Sequence, residues 1–316
     1  MIEITGKEFI ELRKSIYENK MTKLLLWHTY FSNAQSVKKR KIQHERRFSV
    51  LMDDLKKNTS VKILDVSDCD MKNEELRALA NALKVRTDIQ GLSMDHCDNA
   101  SDFSSFIEAL SSLKDLSYLN ISHGGLSDET GAALFEALKN NKKLAYLNAG
   151  KNDGFSKKSA QACKELLESH PSLNIVHFEN VEWMDEDVAL IAEGLAKSPA
   201  VYEFHLSSEN FLQPALIVKA VEENPRLIKV TTNGLMKTAE EASEKNAKKM
   251  NNLIGKFLNK ESPSEEEMIQ MAKVWPVMEK IMKNEYSLTK EQQQQIDSFN
   301  KFVTCQILLS AMKTRE

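Results

Sequence analysis

The chain has 316 residues, of which 41% are hydrophobic and 28% charged, and its formal net charge is −3 at pH 7. This balance is typical of a soluble globular protein that can bury a sizeable core. No stretch approaches the roughly 20 apolar residues needed to cross a bilayer, and the start, MIEITGKEFIELRK, carries acids and lysines where a secretory peptide needs an apolar run. The sequence therefore predicts a cytoplasmic protein without integral membrane association.

The four cysteines lie far apart in the sequence and form no CxxC pair. They are Cys69, Cys97, Cys163 and Cys305. Neither a disulfide framework nor a zinc ribbon is therefore indicated. We expect unbridged thiols, and no motif in the chain predicts a cofactor.

The first 60 residues contain a weak echo of the segment that follows them. The stretch IYENKMTKLLLWHTY resembles LKKNTSVKILDVSDC further along the chain. The alignment sets three pairs of residues together: Ile16 with Leu55, Leu25 with Leu64, and Trp27 with Val66. We predict that residues 1–60 form a helical N-terminal cap with one degenerate repeat, because the terminal unit of a repeat array otherwise exposes an apolar face.

A basic run, SVKKRKIQHERRF, lies inside this N-terminal segment. Residues 1–60 carry 13 basic and 7 acidic side chains, whereas residues 61–236 carry 17 basic and 27 acidic ones. Such a run could bind phosphate, an anionic membrane or an import receptor. The commoner alternative is the solvated face of a capping helix. Without interleaved aromatic residues or a known nucleic-acid module, the run does not predict nucleic-acid binding.

A repeated pattern begins at VKILDVSDCDM, where apolar residues occupy relative positions 1, 4 and 6. Copies start at residues 61, 89, 116, 144, 173, 201 and 227, which are 26 to 29 residues apart, and the last has polar Thr232 at position 6. Between the copies apolar residues follow helical spacing, and the last strong apolar residue of each helix lies six residues before the next start. A fixed strand–helix period predicts a solenoid, because stacked units bury a continuous core. The alternative, an ordinary α/β domain, predicts connections of varying length.

The stretches LDVSDC and LNAGKN match the LxLxxC/N core of the leucine-rich repeat family, and residues 61–236 resemble its ribonuclease-inhibitor-like class. The resemblance implies an α/β solenoid, or horseshoe, of about seven repeats, with parallel strands on the concave face and helices on the convex face. At position 9 the family's Cys or Asn bonds the loop backbone. The matching residues here are Cys69, Cys97 and Asn152, and the departing ones are Gly124, Val181, Glu209 and Leu235. The resemblance implies buried structural thiols at the first two positions and looser turns at the departing ones.

From residue 237 the repeat period stops, and three helical patterns predict a C-terminal helical bundle or cap over residues 237–316. Capping-box spacings, which mark helix starts, occur at Thr238xxGlu241, Ser264xxGlu267 and Thr289xxGln292. Pro276 should kink or restart the middle helix. Three amphipathic helices make a small three-helix bundle, which either caps the solenoid or forms a second domain.

No catalytic motif is present in the sequence. The chain has no glycine-rich phosphate loop, no HExxH and no GxSxG. Bacterial ubiquitin ligases that append a catalytic-cysteine domain to leucine-rich repeats use a CxD motif. The stretch TCQIL around Cys305 lacks it, and that cysteine lies on an apolar helical face. The sequence therefore predicts a protein that is not an enzyme.

Positions 3, 5 and 7 of each repeat alternate with the buried anchors and should point to the concave face. Position 3 puts Tyr118 and Tyr146 on adjacent repeats, with Ile175 beyond them. Tyrosine within a polar rim is typical of protein-binding hot spots, although the chain's own termini could cover such a stripe. The predicted protein-binding residues are Tyr118, Tyr146, Ile175, Asn120, Asn148, His177, Glu179, Glu203 and His205.

Two of these residues, His177 and His205, occupy position 5 of neighbouring repeats, with Glu179 and Glu203 beside them. Two imidazoles and two carboxylates could bind a transition metal. Unligated residues on a polar sheet face are commoner, and the sequence shows no groups that would orient the ligands. From the sequence alone we predict no metal site.

Together these patterns predict a monomer that binds another protein on its concave face. The family resemblance implies that a rigid horseshoe can inhibit an enzyme by covering its active site. The lysine- and asparagine-rich, glycine-poor repeats also resemble in style the leucine-rich repeat effectors that intracellular bacteria inject, which would place the protein in the host cytosol. The alternatives are a GTPase activator, a cytoskeleton-binding protein similar to actin-capping relatives, and a metal-dependent activity.

Overall fold

The computed structural model describes residues 2–3, 6–26, 29–30, 37–69, 71–207, 213–232, 237–259, 261, 264–297 and 299–300. The end of the third predicted C-terminal helix lies outside these residues. So do Trp27, Glu209, Leu235 and Cys305.

Short strands and helices alternate along the chain. The strands are β1 (Ile2–Glu3), β2 (Lys23–Leu25), β3 (Thr29–Tyr30), β4 (Ile63–Asp65), β5 (Gly91–Ser93), β6 (Tyr118–Asn120), β7 (Tyr146–Asn148), β8 (Ile175–Glu179), β9 (Glu203–Ser207) and β10 (Lys229–Thr231). The helices are α1 (Gly6–Tyr17), α2 (Val37–Lys57), α3 (Asn73–Leu83), α4 (Ser104–Leu110), α5 (Asp128–Leu138), α6 (Lys157–Ser169), α7 (Asp185–Lys197), α8 (Ala215–Glu223), α9 (Lys237–Leu258) and α10 (Glu265–Glu285). Residues 290–297 are also helical.

Eight of these strands form one parallel sheet in the order β2-β4-β5-β6-β7-β8-β9-β10. Pairing joins equivalent repeat positions, so that Leu64, Leu92 and Leu119 lie side by side. Consecutive helices pack against each other, because right-handed crossovers put them all on one face of the sheet. The prediction of an α/β solenoid, with parallel strands and alternating helices, is confirmed.

The N-terminal repeat joins this sheet, but in a register that differs from the sequence alignment. β2 pairs with β4 so that Leu24, and not Leu25, lies beside Leu64. Leu24 is 1% exposed and Leu25 is 63% exposed. The run of three leucines in KLLLW has no alternation, so the pattern alone cannot choose between registers that differ by one residue. The alignment of Leu25 with Leu64 was wrong.

The turn after each strand repeats one backbone conformation. At position 8 a left-handed residue has a φ of 51 to 55° in five successive repeats, at Asp68, His96, His123, Lys151 and Asn180. Asn, Asp and His adopt this conformation more readily than other side chains. Gly124 and Val181 follow two of these residues at position 9. Turns that lack Cys or Asn at position 9 therefore have the same left-handed backbone conformation at position 8 as the other turns.

The cysteines at position 9 are buried, as the resemblance implies. The thiol of Cys69 donates to the carbonyl oxygen of Leu26 at 2.8 Å, and the thiol of Cys97 donates to that of Val66 at 3.6 Å. Burial raises the pKa of the Cys97 thiol above its ordinary range. These cysteines therefore join neighbouring repeats and are poorly suited to act as thiolate nucleophiles.

A buried polar side chain also lies three residues before position 1 of most repeats. Asn141 donates from its side-chain nitrogen to the carbonyl oxygens of Leu110, the last residue of α4, and Leu113, at 2.8 and 2.7 Å. The residues that bond the preceding repeat from the same position are Asn58, Arg86, His170 and Asn224. Four of the acceptor carbonyls lie in the last turn of a helix, where carbonyl groups lack a partner within the helix: those of Ile16, Leu55, Leu110 and Leu195.

Helix α9 covers the last repeat of the sheet. Asn246 on α9 donates to the carbonyl oxygens of Val221 and Leu227. The hydroxyl of Thr232 donates to the Glu240 carboxylate at 2.8 Å. Thr232, the polar residue at which the repeat pattern fades, thus contacts the first C-terminal helix.

Two of the three predicted capping boxes are confirmed. The Ser264 hydroxyl accepts a hydrogen bond from the backbone N–H of Glu267 at the start of α10. The Thr289 hydroxyl accepts one from the backbone N–H of Gln292. In both cases the longer side chain accepts a hydrogen bond in return from the capping residue's backbone.

The remaining predicted capping box, Thr238xxGlu241, was wrong as a helix start. The described part of α9 runs from Lys237 to Leu258, so Thr238 lies inside the helix. Any Thr and Glu three residues apart within a helix satisfy the same spacing, which is why the pattern misled.

Pro276 lies inside α10, which continues to Glu285 without restarting. Among the described helices none is long and apolar enough to cross a bilayer.

The turn before α6 depends on a glycine for close backbone contact. Gly154 forms a bridge with Ser127 of the preceding repeat, and a Cβ atom on Gly154 would collide with the Leu126 carbonyl oxygen and approach Ser127 Cα to 2.9 Å. Gly154→Ala is therefore expected to lower the free energy of unfolding by about 2 kcal/mol, because the two backbones must separate. Urea unfolding monitored by circular dichroism measures this change.

Gly255 in α9 is the matched control for this substitution. A Cβ atom there would meet no atom within 4 Å. Gly255→Ala is expected to raise the free energy of unfolding by up to about 1 kcal/mol, because alanine is the better helix former. Equal effects of the two substitutions would contradict the close contact at Gly154.

Candidate protein-binding surface

The nine predicted binding residues lie on four neighbouring strands, β6 to β9. Their side chains alternate with the buried anchors, and we call the sheet surface formed by positions 3, 5 and 7 the sheet face. Strand pairing aligns Tyr118, Tyr146 and Ile175 at position 3. It aligns Asn148 with His177 at position 5. The structure therefore brings the nine residues together on one surface.

Four aromatic rings on the sheet face form a continuous row, which we call the ring stack. Tyr118 and Tyr146 are parallel, with ring centroids 4.7 Å apart and planes 9° apart. Tyr146 lies 5.2 Å from His177. His177 and His205 are 3.9 Å apart at 7°. Tyr118 is 38% exposed, and Tyr146 and His177 are partly buried. His205 is buried, with 9% of its surface exposed. The ring stack is therefore most exposed to solvent at its tyrosine end.

Polar side chains beside the tyrosines are held by their own strand ends. The side-chain oxygen of Asn120 accepts a hydrogen bond from the backbone N–H of Ser122 at 3.1 Å. That of Asn148 accepts one from Gly150 at 3.0 Å. These bonds fix the amide orientations before any partner arrives, so that less conformational entropy is lost on binding.

The environment of the two tyrosines keeps both phenols protonated. Burial raises the pKa of Tyr118, and the carboxylates of Asp65 and Asp95 add to the effect. Burial, followed by the neighbouring Tyr118 and the carboxylate of Glu179, raises the pKa of Tyr146 to about 12. At neutral pH both residues therefore offer a hydroxyl donor to a partner.

The end of the ring stack carries a compact group of charges. The Glu203 carboxylate lies 2.7 Å from His205 Nε2 and 2.6 Å from Lys229 Nζ. Burial opposes ionisation of Glu203, but the hydrogen bonds from Lys229 and His205 outweigh it and hold the pKa of its carboxyl below the ordinary value. Burial and repulsion from His205 lower the pKa of His177, so its imidazole is largely neutral at pH 7. Glu179 lies 3.8 Å from His177 Nδ1.

The turns beyond the strands form a second surface that the sequence did not reveal. His123, Lys151 and Asn180, three of the left-handed position-8 residues, line an open depression next to the sheet face. His96 and His123 stack there with ring centroids 4.0 Å apart. The recurrence of Asp, His and Asn at position 8 is the sequence signal that could have identified these turns.

No family model and no curated protein matches the chain. Among solved structures, actin-binding site 2 of leiomodin-1 is similar to it, with 15% identity and a TM-score of 0.44 over 48% of this chain and 93% of that one. The C-terminal domain of tropomodulin from Caenorhabditis elegans has 25% identity and a TM-score of 0.41, over 48% and 97%. An internalin from Listeria monocytogenes has 13% identity and a TM-score of 0.23, over 72% and 88%.

Proposed function

We propose that the protein binds another protein through the sheet face, with the ring stack at the centre of the interface. The observation that carries this proposal is the Tyr118–Tyr146 pair, two parallel and partly exposed phenol rings on adjacent strands. Tyrosine combines a large apolar surface with one polar atom and only two side-chain torsions, so ordering it costs little. Residues of this type dominate the energy of many protein interfaces.

The surroundings of the pair support the same function. Asn120 and Asn148 form a polar rim whose amide groups are oriented in advance, and a rim of this kind excludes water from central aromatic contacts. The strands lie in one hydrogen-bonded sheet, so the surface is rigid. Rigidity reduces the entropy lost on association.

The charge of the solenoid favours a partner with a basic surface. Residues 61–236 carry 17 basic and 27 acidic side chains. A net negative field speeds the encounter with a positively charged protein, and salt weakens this effect. We therefore expect the association rate to fall as ionic strength rises.

In its finer form the proposal is that binding inhibits or regulates a partner enzyme. A rigid sheet of eight strands can cover an active site without catalysing a reaction itself. Delivery as a secreted bacterial effector into a host cytosol is a further hypothesis, supported by the style of the repeats alone. The alternatives are regulation of a small GTPase and binding to a cytoskeletal protein, which also use repeat surfaces.

The test is affinity capture with the wild-type protein and a Tyr118→Ala/Tyr146→Ala variant, with partners identified by mass spectrometry. Two hot-spot residues contribute about 2 kcal/mol or more each, so affinity for the true partner should fall by at least about a hundredfold. Surface plasmon resonance with the purified partner measures this change. The identity of the partner separates enzyme inhibition from GTPase and cytoskeletal regulation.

The matched control replaces two exposed tyrosines that lie away from the sheet face, Tyr17→Ala/Tyr286→Ala. It should capture the partner as well as the wild-type protein does. Circular dichroism should show that both double variants are folded. Equal recovery by the wild-type protein and the Tyr118→Ala/Tyr146→Ala variant would place the interface elsewhere and overturn the proposal.

A further inference from the structure

Three metal-ligating side chains meet at the end of the ring stack. One ligand atom each from His177, Glu203 and His205 lies within 4.8 Å of the other two, and among the described residues no other group of three does so. His177 and His205 are direct neighbours on β8 and β9. Glu203 lies two residues before His205 on the same strand and so projects from the same face.

From this geometry we propose that His177, Glu203 and His205 form a binding site for a divalent transition-metal ion of the zinc class. Two imidazole nitrogens and one carboxylate oxygen are a ligand set that binds Zn²⁺ in proteins and leaves a fourth position open. The three side chains project from the sheet face, so a protein bound there would lie next to the fourth position. The second part of the inference, which rests on the proposed function, is that a side chain of the partner occupies this position.

The fold places the ligands close together. Parallel strands lie about 4.8 Å apart, and the register between β8 and β9 sets the two imidazoles face to face at 3.9 Å. Phe178 and Phe204 pack beneath them on the opposite side of the same strands.

Metal entry requires several local rearrangements. The lone pair of an imidazole nitrogen lies in the plane of its ring, so the two nearly parallel rings must tilt before both can bind one ion. The His205 Nε2 and Glu203 Oε1 atoms are joined by a hydrogen bond of 2.7 Å. Two atoms bound tetrahedrally to one zinc ion at about 2.0–2.1 Å lie about 3.3 Å apart, so these two must separate slightly while the metal replaces the shared proton. Lys229 also binds the Glu203 carboxylate and must release it. Lys229 therefore competes with the metal.

The charged and titratable groups around the site are few. Lys229 faces it from β10, Glu179 from β8 and Tyr146 from β7. The phenol of Tyr146 stays protonated because its pKa is about 12. Among these three groups Lys229 is the cation, and its charge opposes a bound metal ion.

The experiment is a titration of the full-length, chelator-treated protein with Zn²⁺ in competition with a chromophoric chelator. We expect one ion per chain. His177→Asn/His205→Asn should weaken binding at least about tenfold, since the loss of a supporting group alone costs that much. Lys229→Met should strengthen binding several-fold, because it removes the competing cation.

The control is the other stacked pair, His96→Asn/His123→Asn, which changes the same residue types on adjacent turns and keeps residues that tolerate the left-handed conformation. It should bind zinc as the wild-type protein does. Absence of zinc binding by the wild-type protein would overturn the site. Unchanged affinity in both His177→Asn/His205→Asn and Lys229→Met would also overturn it.

The second part of the inference is that the metal bridges this protein and its partner. It is tested separately by repeating the affinity capture with added Zn²⁺ or with a chelator. If the metal is bridging, chelation should weaken partner capture by wild-type protein and leave capture by His177→Asn/His205→Asn unchanged. If zinc binds but capture is the same in both conditions, the metal site remains and the bridge is refuted. Failure of the proposed function would be seen separately, because the wild-type protein and the Tyr118→Ala/Tyr146→Ala variant would then capture the partner equally well.

Discussion

Replacement of Phe178 by alanine is expected to lower the free energy of unfolding by about 4 kcal/mol. The ring is fully buried on β8. It packs edge to face against Phe135, Trp183 and Phe204 at centroid separations of 5.9, 4.7 and 6.1 Å. These neighbours belong to three repeats whose backbones are fixed by strand pairing and helix packing, so they cannot close the cavity. Urea unfolding followed by circular dichroism measures the loss.

Two controls separate the cavity from a general effect of substitution. Phe178→Leu keeps most of the volume and should cost about 1 kcal/mol. Val85→Ala shortens an exposed apolar side chain and should change stability by less than about 0.5 kcal/mol. A loss of under about 1 kcal/mol for Phe178→Ala would show that the repeats can collapse onto the space.

Phe178 also connects stability to the candidate site. It lies between His177 and Glu179 in sequence, and those side chains project to the opposite face of β8. A cavity beneath the strand should loosen the position of His177 relative to His205. Zinc affinity of Phe178→Ala, measured under conditions in which the protein remains folded, should therefore fall as well, although the ligands are unchanged.

The repeat architecture could be predicted because one requirement recurs in every repeat. A short strand must bury positions 4 and 6, and the following helix must bury a residue six positions before the next start. All position-4 residues in the sheet are buried, from Leu64 in β4 to Val230 in β10. Even Thr232, the polar exception at position 6, is buried because Glu240 on α9 accepts its hydrogen bond.

The features that the sequence did not predict correctly depend on contacts outside the local pattern. The register of β2 could not be predicted, because three consecutive leucines leave the buried one undefined until β4 pairs with it. The buried polar residues three positions before each repeat start, among them Asn141 and Asn224, were missed for a different reason. They are chemically varied, with Asn, Arg and His at the same position, and they are equivalent only because they all bond carbonyl oxygens of the preceding repeat.

The candidate site could be predicted in outline but not in its interactions. Strand alternation placed Tyr118, Tyr146 and His177 on one face. Spacing alone could not show that the rings stack, because that depends on side-chain torsions. Spacing also could not show which of the two glutamates, Glu179 or Glu203, contacts the histidines closely. Glu203 joins His205 and Lys229, whereas Glu179 lies 3.8 Å from His177 and outside the group of three ligands.

Replacement of Asn152 by alanine is expected to lower the free energy of unfolding by about 3 kcal/mol, because several buried hydrogen bonds lose one partner. The Asn152 side chain is fully buried. Its oxygen accepts from the backbone N–H groups of Gly124 and Leu126, both at 3.1 Å. Its nitrogen donates to the carbonyl oxygens of Ile121 and Ala149. Asn152 thus holds the turn of its own repeat and that of the preceding one, where Gly124 has no side chain to do so.

Asn140→Ala is the matched control, since Asn140 lies on the solvent-exposed surface just after α5. It should change stability by less than about 0.5 kcal/mol. Asn152→Ala should also weaken capture of the partner only in proportion to the fraction unfolded, because Asn152 lies beneath the turns and not on the sheet face. If Asn152→Ala were as stable as Asn140→Ala, the turn after β6 would be held by its left-handed backbone alone, and the position-9 side chain would be dispensable.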